Sequence, residues 1–199
     1  MKRILLTMGL GMMSVVSAFA ADEITLGDPQ YGGTGCPSGS VGASLSPDRT
    51  SLSILFDQYV AEAGSAVGKT FDRKSCNVAI PVRVPHGYTV AILKVDYRGY
   101  NNLPRQARST FGVEYFFAGS RGPTFQRDFV GPLDRDYVIN NELIASSMVW
   151  SPCGQDVILR TNTSIRVTTN SQRQQAMATV DSQDVSAAVV YQLKWQRCN

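Results

Sequence analysis

A histidine near a serine or cysteine, two carboxylates at a fixed spacing, or a knot of metal ligands would each announce a reaction. His86 is the single histidine of the chain, so any nucleophilic mechanism relayed through imidazole must run through it. It stands in Pro85-His86-Gly87, a turn tripeptide in which a solvated side chain is the simplest reading. No G-x-S-x-G nucleophile elbow occurs anywhere. Glycoside hydrolysis would need two carboxyl groups about 5 to 9.5 Å apart. Beyond residue 20 the glutamates are Glu23, Glu62, Glu114 and Glu142, and no two share the alternation of one strand. Glu114 faces away from Phe111, Val113 and Tyr115, the solvent side of a half-buried strand, and the sequence designates no aspartate to pair with it.

Calcium would draw on Asp134-Arg135-Asp136 or on Asp181-Ser182-Gln183-Asp184. Neither has the D-x-[DN]-x-[DN]-G pattern of an EF-hand, and both read as turns. No catalytic, metal or cofactor constellation is therefore expected. The stretch with the most recognition chemistry is Asp96-Tyr97-Arg98-Gly99-Tyr100. There Asp96, Tyr97, Arg98 and Tyr100 place a carboxylate, a guanidinium and two phenols at the exit of a strand, where arginine and tyrosine are the side chains that most often anchor a partner. Against that stands an ordinary strand exit with Arg98 paired to Asp96 or a neighbour. Asn162-Thr163-Ser164 fits the glycosylation sequon.

The four cysteines, Cys36, Cys76, Cys153 and Cys198, are too far apart for a zinc site built on C-x-x-C pairs. In an exported protein they read as two disulfides, for which three pairings exist. Cys36–Cys76 with Cys153–Cys198 is favoured, since each bridge would tie one chain end to a neighbouring strand. Export is expected from the N-terminus: Met1-Lys2-Arg3, the apolar run Ile4 to Val16, then Ala18-Phe19-Ala20 form the basic, apolar and A-x-A regions of a signal peptide over residues 1–20. The apolar run is too short for a membrane span, which needs about 20 residues, and no transmembrane anchor is expected. The destination is a periplasm or the secreted milieu. Without Lys2 and Arg3 the basic residues fall from 19 to 17 against 16 acidic ones, and with no run of Lys or Arg the chain offers nucleic acid and anionic lipid no electrostatic footprint.

What positions these residues is a series of strands. Residues 21–50, rich in Gly, Ser, Pro and Asp, form an irregular N-terminal arm pinned at Cys36. Period-two alternation then marks Leu52–Phe56 and Cys76–Val84. Pro81 cannot donate to a ladder, which puts the second of these at an edge or a bulge. Tyr88–Arg98 is apolar on both faces, as a central strand would be. A polar segment, 100–109, precedes a strand at Phe111–Phe117, and Phe125–Val130 is another. The irregular stretch 134–150 carries the one plausible helix, at 140–147. Residues 156–161 and 164–169 look like a hairpin across Asn162-Thr163, followed by a short strand at 177–180 and a last one over 187–195. The pattern indicates an all-β fold, one antiparallel β-sandwich domain over residues 21–199 with about eight strands.

Gly32-Gly33-Thr34-Gly35-Cys36-Pro37, Ser75-Cys76-Asn77, Asp96-Tyr97-Arg98-Gly99, Ser151-Pro152-Cys153-Gly154, Asp181-Ser182 and Trp195-Gln196-Arg197-Cys198 follow one another in an order that resembles the secreted-protein family known as domain of unknown function 4360, of bacteria and fungi. The resemblance spans the chain beyond its leader. It implies a small exported β-rich protein and supplies no catalytic residue. Two functions then compete. One is a non-enzymatic module, binding a surface component or glycan or serving a structural role. The other is a secreted, glycosidase-like hydrolase using carboxylates. The solitary turn histidine and the missing acid–base pair favour the first.

Overall fold

A computed structural model describes residues 25–47, 51–143, 150–181 and 189–198. The expected signal peptide, most of the Asp181–Asp184 cluster and residues 144–147 of the expected helix lie outside the described residues. Within them the chain is all β, without a helix, in thirteen strands. These are β1 (Thr25–Leu26), β2 (Gln30–Gly32), β3 (Val41–Leu45), β4 (Ser51–Phe56), β5 (Val60–Ala63), β6 (Phe71–Arg83), β7 (Tyr88–Leu103), β8 (Arg108–Phe117), β9 (Thr124–Val130), β10 (Leu133–Glu142), β11 (Val157–Thr168), β12 (Ala176–Thr179) and β13 (Val189–Arg197).

All pairings are antiparallel. One sheet runs β1-β6-β11-β8-β9, with β2 beside β1 on the same side of β6. The other runs β3-β4-β13-β7-β12-β5, with β10 along the opposite side of β7. The two inner faces supply one core, in which Ile80, Phe111 and Tyr115 of the first sheet meet Ile54, Tyr97 and Tyr137 of the second. The sheets are also joined by hydrogen bonds. Tyr97 Oη donates to Tyr115 Oη at 2.7 Å, which also accepts from Asn141 Nδ2 at 2.8 Å. Tyr59 and Thr163 share a hydroxyl contact of 3.0 Å, and Thr163 Oγ1 donates to the Cys76 carbonyl at 3.1 Å. Buried hydroxyls are thus satisfied across the sandwich, as burial requires.

Several expectations are corrected. Thirteen strands replace about eight, mainly because the arm pairs as β1, β2 and β3 where an irregular segment is expected. The hairpin across Asn162-Thr163 does not form. β11 runs straight through it, with Asn162 opposite Asn77 on one side and Glu114 on the other. A polar pair in mid-strand mimics a turn in sequence, but here Asn162 simply occupies the outward face while Thr161 and Thr163 are buried and bonded. The polar segment 100–109 is largely strand: β7 continues to Leu103, and a short turn leads into β8. Residues 140–142 belong to β10 and not to a helix.

Pro81 is accommodated as its chemistry demands. In an antiparallel strand the N–H and C=O of one residue point the same way, and the Pro81 carbonyl accepts from Gly27 N at 2.8 Å. The missing donor therefore faces the interval between β1 and β2 and costs no bond to β11. Strand β6 is flanked on that side only by strands of two and three residues, an edge thinly covered.

Both expected disulfides are present, Cys36–Cys76 and Cys153–Cys198, with Cα separations of 5.4 and 6.1 Å. The first is wholly buried, and its approach explains the glycines of the arm. A Cβ on Gly35 would stand 2.3 Å from the Tyr59 ring, and one on Gly33, at φ +150°, 2.2 Å from the Ser75 carbonyl. The second bridge clamps the end of β13 to the segment after Trp150. Gly154 N donates to the Tyr88 carbonyl and Cys198 N to the Gly87 carbonyl, both at 2.8 Å.

Candidate functional site

Strand alternation decides which of the Asp96–Tyr100 side chains a partner could meet. Tyr97 is fully buried, its ring 4.7 Å from Phe111. It belongs to the core, and the expectation that it joins a ligand surface is corrected: odd positions here face inward. Asp96, Arg98 and Tyr100 face outward on the second sheet, and Gly99 between them faces Tyr137.

Strand β10 completes this outer face. Its register sets Glu142 opposite Lys94, Asn140 opposite Asp96, Val138 opposite Arg98, Asp136 opposite Tyr100 and Asp134 opposite Asn102. Hydrogen bonds hold the ladder in place. Asn140 Nδ2 donates to Asp96 Oδ1 at 2.7 Å, and the same oxygen receives Lys94 Nζ at 3.3 Å. Asp96 is thus bound to Lys94 and Asn140. Tyr100 Oη donates to Asp134 Oδ1, and Asn102 Nδ2 reaches Tyr100 Oη at 3.5 Å. That bond to Asp134 holds the Tyr100 phenol above its ordinary pKa of 10.0, because ionisation would set a second negative charge against the carboxylate. Between these two polar groups stand Arg98, exposed, and Val138, 58% exposed. The result is an outer face on which amide, carboxylate, phenol and guanidinium groups are arrayed around one apolar side chain. Chemically it can exchange hydrogen bonds with a polyhydroxylated ligand.

The remaining candidates are dispersed. His86 is exposed in its turn, against Gly154. Glu114 lies mid-sheet on the outer face of the other sheet, with Asn162 and Thr124 as its cross-strand partners, so its neighbours in register carry no carboxyl group. Asp134 and Asp136 open β10 and belong to the ladder just described, where sequence suggested a turn. Among the described residues no three His, Cys, Asp or Glu side chains gather to hold a metal ion.

Two features gave no signal in the sequence. Pairing brings arginines scattered along the chain onto the outer face of the first sheet, where Arg73 lies directly across from Arg166 and Arg108 stands next to Thr168. Arginines far apart in the sequence thus become neighbours on one surface. The second is a groove between the edge strands β9 and β10, lined in part by Phe125, Arg127, Phe129 and Arg135.

The model of the family described as Domain of unknown function (DUF4360) matches residues 22–198. An "Uncharacterized secreted protein" from Arthroderma benhamiae is 37% identical over 178 residues, which make up 89% of this chain and 73% of that protein.

Proposed function

The chain belongs to the DUF4360 family, and from that premise we propose that it is an exported, non-enzymatic binding module whose partner is a glycan or another component of a cell surface or the secreted milieu. Export is supported by the leader-like residues 1–20, by two disulfides of the kind that persist in oxidising compartments, and by a relative whose name describes it as secreted. The observation that carries the binding reading is the prearranged polar ladder of Asp96, Asn140, Tyr100 and Asp134 around Arg98. Groups already held in place lose little freedom when a ligand binds, so more of each contact appears as affinity. Alternating donors and acceptors suit sugar hydroxyls, each of which both gives and takes a hydrogen bond.

The test is a binding screen of the mature protein against immobilised glycans and envelope fractions of its host, repeated with variants of unchanged thermal midpoint. Arg98→Ala and Tyr100→Phe should weaken retention, about tenfold for a residue worth roughly 1.4 kcal/mol at an interface centre. His86→Ala and Glu114→Gln should bind like the parent. A hydrolytic activity lost in well-folded His86→Ala or Glu114→Gln would overturn this reading in favour of a carboxylate-dependent hydrolase.

A further inference from the structure

We propose that the groove between β9 and β10 binds a small amphipathic carboxylate, its head between Arg127 and Arg135 and its apolar or aromatic body against Phe125, Phe129 and Ile139. The groove shares Asp136, Val138 and Asn140 of β10 with the polar ladder but is not lined by Arg98 or Tyr100, and its reading does not depend on that one.

The register makes the groove. Phe125, Arg127 and Phe129 stand opposite Val113, Phe111 and Ser109, all inward-facing, and therefore point inward themselves. On β10, Arg135, Tyr137 and Ile139 stand opposite Asn101, Gly99 and Tyr97 and point inward too. Strands β9 and β10 are edge strands of the two sheets, so these inward side chains line an opening between the layers, a cavity of about 430 Å³. Sites for small organic ligands span roughly 300–1,000 Å³. Phe129 and Tyr137, with ring centroids 4.9 Å apart, link the two walls.

The charged groups that alternation turns inward there are two arginines, while Asp136 and Asn140 also line the groove from the outer-facing positions of β10. Arg127 and Arg135 are exposed, and among the described residues neither makes an ion pair. Asp136, on the rim, belongs by alternation to the outer face beside Tyr100. Behind the walls, Ser109 Oγ donates to Asn101 Oδ1 at 2.6 Å, and Asn101 Nδ2, buried, has no partner. Asn101 and Ser109 are the cross-strand partners of Arg135 and Phe129, so the unpaired amide is buried one layer behind the side chains that line the groove. Two guanidiniums call for an acceptor with negative charge, and guanidinium forks match a carboxylate's two oxygens.

Inward charge on an edge strand also discourages pairing between molecules. That role accounts for the charge, but not for the aromatic walls, and charge reversal separates the two. Arg127→Glu and Arg135→Glu keep an inward charge at each edge while repelling a carboxylate. Calorimetric titration of the full protein with cinnamate and with decanoate, each compared with its uncharged amide, tests the proposal. At least one of the two acids should bind, at least tenfold more tightly than its amide. Either reversal should abolish that binding in a protein that stays folded and monodisperse, and Arg98→Ala should leave it unchanged. The Asn101 side-chain amide resonances should shift on titration. Failure of both acids to bind at millimolar concentration, equal binding of acid and amide, or binding that survives both reversals would overturn the proposal.

Discussion

Gly99 and Tyr137 are direct cross-strand partners, and the tyrosine ring fills the space that a side chain at position 99 would need. A Cβ on Gly99 would lie 2.4 Å from Tyr137 Oη and 2.2 Å from the Thr179 carbonyl, the acceptor of the Tyr137 hydroxyl at 2.7 Å. Burial, helped by the negative charge of Asp181, pushes the Tyr137 phenol far above the ordinary tyrosine range, so it remains a donor. The glycine thus lets β10 and β12 close over β7 between Arg98 and Tyr100. Gly99→Ala should cost about 1–3 kcal/mol or more through overpacking. Tyr137→Phe should cost about 1–3 kcal/mol by leaving a buried carbonyl unpaired. Urea denaturation checks both; a fully stable Gly99→Ala would mean that the three strands are not packed as described.

The two disulfides should differ in reactivity. Cys36 and Cys76 are wholly buried, whereas Cys153 is exposed and Cys198 half-buried. Thiol attack requires access to a sulfur, so dithiothreitol under native conditions should open Cys153–Cys198 first, as mass mapping after alkylation would report. Removing either pair by serine substitution should cost about 2–5 kcal/mol.

Asp134→Asn should bring the Tyr100 pKa back toward its ordinary 10.0, since the neutral amide no longer opposes the phenolate. With the carboxylate in place the phenol stays protonated beyond that pH. Titration of the Tyr100 ring resonances in parent and variant measures the difference; an unchanged midpoint would show that the Tyr100–Asp134 bond is not made in solution.

How much of this was legible in the sequence follows from the range of the interactions involved. Leu52, Ile54 and Phe56, or Val78, Ile80 and Val82, alternate so regularly that their strands can be read directly, and the bridges follow from cysteines near the chain ends. Asn162-Thr163 misleads because polar residues in mid-strand look like a turn until their partners across two neighbouring strands are known. Tyr97 reads as surface beside Asp96 and Arg98, yet one step of alternation sends it into the core. The groove was not legible, since Arg127 and Arg135 become neighbours only when two sheets stack. Nor were the Arg73 and Arg166 neighbours, which owe their proximity to the β6–β11 register alone.

Asp72 sets the acid limit at the edge where β5 meets β6. Its Oδ2 accepts from Glu62 N at 3.3 Å and its Oδ1 from Lys69 Nζ at 3.1 Å. Partial burial, the largest single influence, raises its pKa. The bonds from Lys69 and Glu62 and the charges of Lys69 and Lys74 together outweigh it, and the net pKa lies below the ordinary 3.8. A carboxylate with a depressed pKa in the folded state contributes stability that is complete above the unfolded value and is lost as pH falls through the folded one. Asp72→Asn keeps an acceptor for Glu62 N but loses the charge. Its thermal midpoint should therefore lie below the parent's from pH 5 to 7, with the gap closing below the ordinary 3.8. Because Lys69 is about half exposed, salt should shrink the same gap at neutral pH. A gap that persists at pH 2, or that grows with salt, would mean that Asp72 acts through packing and not through its charge.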